Sequence, residues 1–315
     1  MKIISNCDLS GAPEAVVTLE ALGQVLCLDD DREKVLKEIG NCDALMAHPR
    51  VPIDGDLLKR APKLKLIGSP HTGRDHLDLD LIEERGITLF HIAEEYELLS
   101  SFTSTSEATF ALLLALVRKI PQAFEAAKNG NWGREHFTGF QLSGKTLGIL
   151  GLGRLGTIST RIGQGFAMNV IAHDVRDVSA PGVEMVDFET LLTRSDVLSI
   201  HIHLRPETEN LIDGDAIGKL KKGAIILNTS RGKIINEAAL LASLQSGHLG
   251  GAGLDVIDGE WLTPEELRNH PLIRYSKEHE NLIIVPHIGG STTESIYAAR
   301  VFMARKMADW LRNSG

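Results

Sequence analysis

The strongest chemical signal in this 315-residue chain is a run of glycines, Lys145-Thr-Leu-Gly-Ile-Leu-Gly-Leu-Gly-Arg-Leu-Gly156. An apolar strand pattern runs into Gly151-x-Gly153-x-x-Gly156, and a helical pattern follows. In such a turn Gly151 permits the sharp reversal, Gly153 lets backbone approach a pyrophosphate, and Gly156 allows the helix to pack closely on the strand. The helix start then presents the N–H groups of Arg154 and Leu155 to a dianion. At the end of the next strand pattern stands Asp174, 18 residues beyond Gly156. A carboxylate there accepts hydrogen bonds from ribose hydroxyls and repels a 2′-phosphate, so the pattern points to NAD. Arg176, two positions on, leaves NADP use open. Three more segments each carry a reactive side chain at a strand end: Leu227-Asn-Thr-Ser-Arg-Gly232, Leu254-Asp-Val-Ile-Asp-Gly-Glu260 and Pro286-His-Ile-Gly-Gly-Ser-Thr292. Strand ends are where open α/β sheets bind ligands.

The elements that must position these residues alternate between apolar β-type runs and helical patterns along the whole chain, which predicts parallel sheets with crossover helices. One strand series is expected at 2–4, 44–47, 64–68 and 88–90, and a second at 146–150, 170–173, 197–202, 224–228, 251–254 and 282–285. A long helix over roughly 104–119 lies between them, and an amphipathic helix over 291–312 closes the chain. Composition agrees: 43% apolar and 24% charged residues exclude wholesale disorder. The net charge of −9, without a Lys/Arg cluster, lacks the footprint of a nucleic-acid binder. The apolar stretch Ala108–Val117 is about half the ~20 residues of a membrane span, so a buried helix is expected there. The start carries no signal-peptide core, and Cys7, Cys27 and Cys42 form no metal or disulfide pattern. A cytoplasmic protein without metal or membrane partners is the resulting expectation.

The chain resembles the D-isomer-specific 2-hydroxyacid dehydrogenases, and within them most closely the D-3-phosphoglycerate dehydrogenase branch. The likeness is densest in Arg118–Ala123, Trp132–Gly156, the Asn-Thr-Ser-Arg-Gly box and the Pro-His-Ile-Gly-Gly-Ser-Thr box. It implies that Arg231, Glu260 and His287 form the active site, and chemistry supports the choice. Reducing a 2-oxo acid needs a hydride donor, a proton donor beside the carbonyl, and a cation for the carboxylate. An unperturbed imidazole titrates at about 6.5, so His287 can supply the proton. Glu260, bonded to the other ring nitrogen, would fix the ring and favour imidazolium. Arg231 offers a planar fork for the carboxylate. Singly, each residue has a bland explanation as a surface ion pair, a core imidazole or a loop charge. The resemblance further implies that Asp255 contacts the nicotinamide carboxamide and that Thr229, Ser230 and Gly290 lie along the cofactor. Thr72, Gly73 and Arg74 fall in the substrate loop. His201 is read either as bordering the adenine or as a structural histidine.

The chain departs from the family pattern in several places. Ser69 stands where the phosphoglycerate branch commonly has arginine, and His71 and Arg74 replace small or apolar residues. Arg74 or Arg50 is the candidate replacement cation for a substrate phosphate. The segment His91–Thr103 is longer than usual and is read as a solvated helix or a lid. Trp261 takes the place of a proline after Glu260, either lining the pocket or covering an edge. The family's carboxy-terminal regulatory extension is not expected after Gly315. The fold class implied is α/β, with two doubly wound parallel-sheet domains, Rossmann-like and flavodoxin-like, and a cleft between them. A substrate-binding domain is expected over 1–100 and 288–315, and an NAD-binding domain over 101–287. The expected activity is NAD-dependent hydride transfer between nicotinamide and a small anionic D-2-hydroxy or 2-oxo acid, with 3-phosphoglycerate a candidate substrate. Glyoxylate or hydroxypyruvate reduction, and a non-catalytic NAD(H)-sensing corepressor-like role, stay open. A homodimer is expected through the segment around 112–142.

Overall fold

The computed structural model describes residues 1–313; residues 314 and 315, which the first-domain expectation included, lie outside the described residues. The chain divides into two compact units, Met1–Phe102 with Ser291–Gly315, and Thr103–Gly290.

The first unit holds five strands: β1 (Lys2–Ser5), β2 (Gln24–Cys27), β3 (Ala44–Met46), β4 (Leu66–Ser69) and β5 (Thr88–His91). They form one parallel sheet in the order β2-β1-β3-β4-β5, the flavodoxin-like winding. The central strands are apolar on both faces because helices cover both, and a separate buried cluster lies on each side of the sheet. The last helix, Thr293–Asn313, returns to this unit and buries Ser295, Ala299, Met303, Met307 and Leu311, a spacing of four that sets one helical stripe against the sheet. The segment after β5 contains a short helix, Tyr96–Ser100, anchored by the buried Ile92 and Leu99 and by an ion pair between Glu95 and Lys306. Its acidic outer face is solvated.

The second unit holds β6 (Thr146–Leu150), β7 (Asn169–His173), β8 (Val183–Met185), β9 (Val197–Ile200), β10 (Ile225–Asn228), β11 (Gly251–Leu254) and β12 (Leu282–Ile284). All pair in parallel, in the order β12-β11-β10-β9-β6-β7-β8. This is the Rossmann order extended by one strand, with its switch point between β6 and β9. By length and composition, the stretch Tyr96–Val117 qualifies as a membrane-crossing helix. Within it two separate helices form, Tyr96–Ser100 and Ser104–Val117. The second buries Phe110, Leu112, Leu113, Leu116 and Val117 in the core under β10 and β11.

All three cysteines are free thiols in the first unit. Burial pushes Cys7 and Cys42 up to about 12; Cys27, also raised by partial desolvation and by Glu20 and Asp8, lies exposed on the edge strand β2. Only thiolates react with disulfide reagents. A thiol titration of the native protein at pH 8 should therefore count one reactive cysteine, and three after unfolding in denaturant. Three in the native state would contradict this burial.

Candidate active site and cofactor turn

Each proposed reactive residue stands just past the end of one of three neighbouring strands. Arg231 follows β10, Asp255 and Glu260 follow β11, and His287 follows β12. Asn228 and Leu254 are register partners, as are Leu254 and Ile284. Strands lie about 4.8 Å apart, so the chain ends that carry these groups emerge side by side.

His287 and Glu260 come together directly: Nδ1 of the ring is 2.9 Å from Glu260 Oε2. The carboxylate therefore fixes which ring nitrogen faces it and leaves Nε2 available for proton exchange. His287 adopts φ +53°, the left-handed region that a non-glycine residue rarely occupies without outside support. Asp255 supplies that support. Its carbonyl accepts the His287 N–H at 2.8 Å, while its carboxylate accepts Ile288 N–H at 2.6 Å and Gly289 N–H at 2.9 Å. Asp255 is 2% exposed, and burial pushes its carboxyl up, against those two amides and the His287 ring. The expected nicotinamide contact at Asp255 thus falls on a carboxylate already bridging the turn beneath His287. The indole of Trp261 stacks on the imidazole, with centroids 5.9 Å apart and planes at 24°. Trp261 therefore lines the site, one of the two readings its sequence position allowed.

Arg231 directs Nη1 to the Ser230 carbonyl at 2.7 Å. The preceding residues hold their turn internally. Asn228 Nδ2 donates to the Arg231 carbonyl, Ser230 Oγ to the Ile200 carbonyl, and the Thr229 hydroxyl is 2.8 Å from that of Thr109. Thr229 and Ser230 thus spend their hydroxyls on protein partners. In the histidine box the sterically demanding glycine is Gly289, where a Cβ would meet Asp255 Oδ2 at 2.7 Å; nothing lies within 4 Å of one on Gly290. The sequence alone does not show which of two adjacent glycines faces the carboxylate.

The glycine turn follows β6 at the switch point. Gly151 has φ +94°, and a Cβ there would meet the His201 carbonyl oxygen at 2.7 Å. A Cβ on Gly156 would overlap the Gly151 carbonyl. Over Gly153 the nearest atom to such a Cβ is Arg176 Nη2, at 3.8 Å, so the backbone there is open as a pyrophosphate cradle requires. Gly153 is the N-cap of the helix Arg154–Gly165, whose first turn carries the amides of Arg154 and Leu155. These residues fit an NAD-type dinucleotide.

Asp174 ends β7 as expected, and its carboxylate accepts from Leu152 N at 2.8 Å and from the fork of Arg176 through Nε at 2.9 Å and Nη2 at 2.8 Å. That fork, with the backbone amides, holds the Asp174 carboxyl down to about 2. His201, past β9, is bonded through Nε2 to Ser199 Oγ at 2.8 Å, and burial pushes its ring down to about 4. That is the behaviour of a structural histidine.

Thr72, Gly73 and Arg74 belong to the first unit, on the loop after β4. Arg74 Nη1 lies 3.9 Å from Glu94 Oε1, and Arg50 Nη1 lies 3.2 Å from Asp30 Oδ2. Ser69 is fully buried and its hydroxyl has no partner. The neighbouring half-buried His71 ring packs edge-to-face against His48, with centroids 5.2 Å apart, and desolvation pushes it well below the usual imidazole range.

Fold and site together define a two-unit α/β protein with a dinucleotide-type glycine turn, and comparison with known proteins gives the family. Residues 110–289 match the family described as D-isomer specific 2-hydroxyacid dehydrogenase, NAD binding domain. The chain belongs to that family. It is 35% identical over 305 residues to D-3-phosphoglycerate dehydrogenase of Methanocaldococcus jannaschii, covering 95% of this chain and 56% of the relative. The chain spans about half the length of the curated relatives it matches. Among solved structures, a protein of Thermus thermophilus superposes with a TM-score of 0.87 at 31% identity, over 100% of this chain and 97% of the other. D-lactate dehydrogenase from Aquifex aeolicus, complexed with NAD and lactic acid, superposes with 0.86 at 27% identity, over 99% and 96%.

The Asp174 environment has a measurable consequence. A carboxyl whose pKa is depressed on folding stabilises the protein above its unfolded pKa and loses that contribution as the pH falls through the folded value. The melting-temperature difference between wild type and Asp174→Asn should be largest above about pH 4 and shrink toward zero as the pH falls to about 2. A difference independent of pH over that range would show that Arg176 does not hold the carboxylate.

Proposed function

We propose that the chain is an NAD-dependent D-2-hydroxyacid dehydrogenase. The observation that carries this reading is the His287–Glu260 pair, 2.9 Å apart, on strand ends next to the one bearing Arg231. When bound, NAD supplies or accepts the hydride. The residues of the chain do the remainder. Arg231 binds the substrate carboxylate and draws charge onto the carbonyl oxygen. His287 delivers a proton from Nε2 to that oxygen as it becomes a hydroxyl, and takes the proton back in the oxidation direction. Glu260 stabilises the imidazolium and keeps the ring from turning. Trp261 covers one face of that ring and shields it from water. Gly151, Gly153 and Gly156 with the amides of Arg154 and Leu155 hold the pyrophosphate, and Asp174 selects the adenosine ribose. Asp255, Thr229, Ser230 and Gly290 border the nicotinamide side in this reading. The first unit is the substrate-binding domain and the second the NAD-binding domain.

The substrate class we favour is a small 2-oxo acid without a phosphate, of the glyoxylate or hydroxypyruvate type. Ser69 offers no cation, and both replacement candidates, Arg74 and Arg50, are paired with carboxylates. A phosphoryl group requires uncommitted guanidinium or ammonium groups. We place the enzyme in the cytoplasm, in line with its free thiols.

NADH oxidation measured against a panel of 2-oxo acids tests these assignments. Turnover with glyoxylate or hydroxypyruvate should exceed that with 3-phosphohydroxypyruvate. His287→Ala should lower kcat by roughly 10²- to 10⁴-fold, the range of general acid catalysis. Wild-type rates in that variant would remove His287 as the proton donor. NADH binding with no turnover of any acid would leave a sensing role instead.

The partner most consistent with the surface is a second copy of the chain. No residue of the helix Ile120–Lys128 is buried, and Ile120, Phe124, Trp132 and Phe140 along this stretch are 53%, 64%, 84% and 43% exposed. Large apolar groups clustered in one sequence segment mark an interaction face. Light scattering should give twice the chain mass, and Phe124→Glu combined with Trp132→Glu should shift it toward a single chain. A monomeric wild type would dismiss the dimer.

A further inference from the structure

The chain from Asp258 to His270 leaves β11, carries Glu260 and Trp261, and comes back through the short helix Pro264–Asn269. Its middle is partly exposed, Trp261 at 46% and Leu262 at 39%, and meets the rest of the unit through the contacts of Glu260 and Trp261 with His287. Its two ends are tied to one side chain. Glu237 Oε1 accepts the Asp258 N–H at 2.8 Å, and Oε2 lies 3.2 Å from His270 Nε2. Glu237 opens the helix Glu237–Gln245 and stands six positions after Arg231. The pair is largely buried, at 18% exposure for Glu237 and 10% for His270. Beside it the backbone of Gly232 lies so close to Ile257 and Asp258 that a Cβ would overlap them. The turn bearing Arg231 and the strap bearing Glu260 are thus in direct contact.

We infer that Glu237 and His270 form a positioning pair that clamps the 258–270 strap and so sets the reach of Glu260 to His287. The inference rests on the catalytic reading above, but its geometry stands apart from it. His270 Nδ1 is buried with no hydrogen-bond partner. The contact to the Glu237 carboxylate is therefore made through the Nε2 side of the ring, and Nδ1 adds no competing tie. Burial pushes the Glu237 carboxyl up, with the Asp258 carboxylate adding to this and the Asp258 amide and His270 opposing it. Removing Glu237 releases both ends of the strap at once, whereas glutamine still accepts the Asp258 amide.

Hydrogen exchange of the unliganded protein, with steady-state kinetics of the same variants, tests this. In Glu237→Ala the amides of residues 258–262 should exchange at least ten times faster than in wild type, with the later turns of the helix Glu237–Gln245 unchanged. A misplacement of about 1 Å can cost up to roughly 10²-fold in rate, so kcat should fall toward that limit while NADH affinity by calorimetry stays within about twofold. Glu237→Gln should recover most of both losses, which a general packing defect would not allow. If the alanine variant does not fold, His270→Leu, which cuts one tie, should show the same faster exchange at the strap. Unchanged exchange at 258–262 in folded variants, or an unchanged kcat, would overturn the proposal. If no 2-oxo acid is turned over by wild type, the catalytic reading fails alone, and the exchange data decide the clamp.

Discussion

A single buried carboxylate organises the active end of the second unit. Asp255 accepts two successive amides across the turn after β12, and its own carbonyl takes the His287 amide. Those three bonds are what stabilise an imidazole-bearing residue in the left-handed region, a conformation that otherwise costs about 1–3 kcal/mol. With the backbone so constrained, the ring is aimed at Glu260, and Trp261 packs against its face. A charged group with 2% exposure is tolerated there because its hydrogen bonds replace water.

The cofactor turn follows from a second constraint, close approach of backbone to backbone. Gly156 sits against the Gly151 carbonyl, and β6 lies at the point where the strand order reverses, so the helix Arg154–Gly165 starts at the switch point of the sheet. The Asp174 carboxylate is not idle before a ligand arrives: Leu152 and Arg176 occupy it. In the proposed reading, ribose hydroxyls would share or displace those donors.

Family membership and substrate are separate matters here. The relatives matched in sequence are phosphoglycerate dehydrogenases about twice as long, while a lactate dehydrogenase matches the fold over nearly its full length. The departures from the expected family pattern are local: Ser69, the half-buried His71 and the carboxylate-paired Arg74 in the first unit. Arg74 brings a charge to this loop, and Glu94 stands 3.9 Å from it.

Much of this was legible in the sequence. Continuous apolar runs such as Ile225–Leu227 announce strands covered on both faces, and the glycine spacing announces the turn, because both depend on local sterics and periodicity. The edge strands β2 and β8 were not legible. They are short, bury no residue fully, and exist because a neighbouring strand offers hydrogen-bonding edges. The residue types of the reacting groups, and their order, could be read from Arg231, Glu260 and His287. Tertiary structure alone decided that Asp255 serves the turn under His287, that Gly289 rather than Gly290 is the constrained glycine, and that Glu237 reaches both Asp258 and His270. Each of those is a contact between residues far apart in the chain, and such contacts are set by strand register and loop packing, which no local pattern encodes.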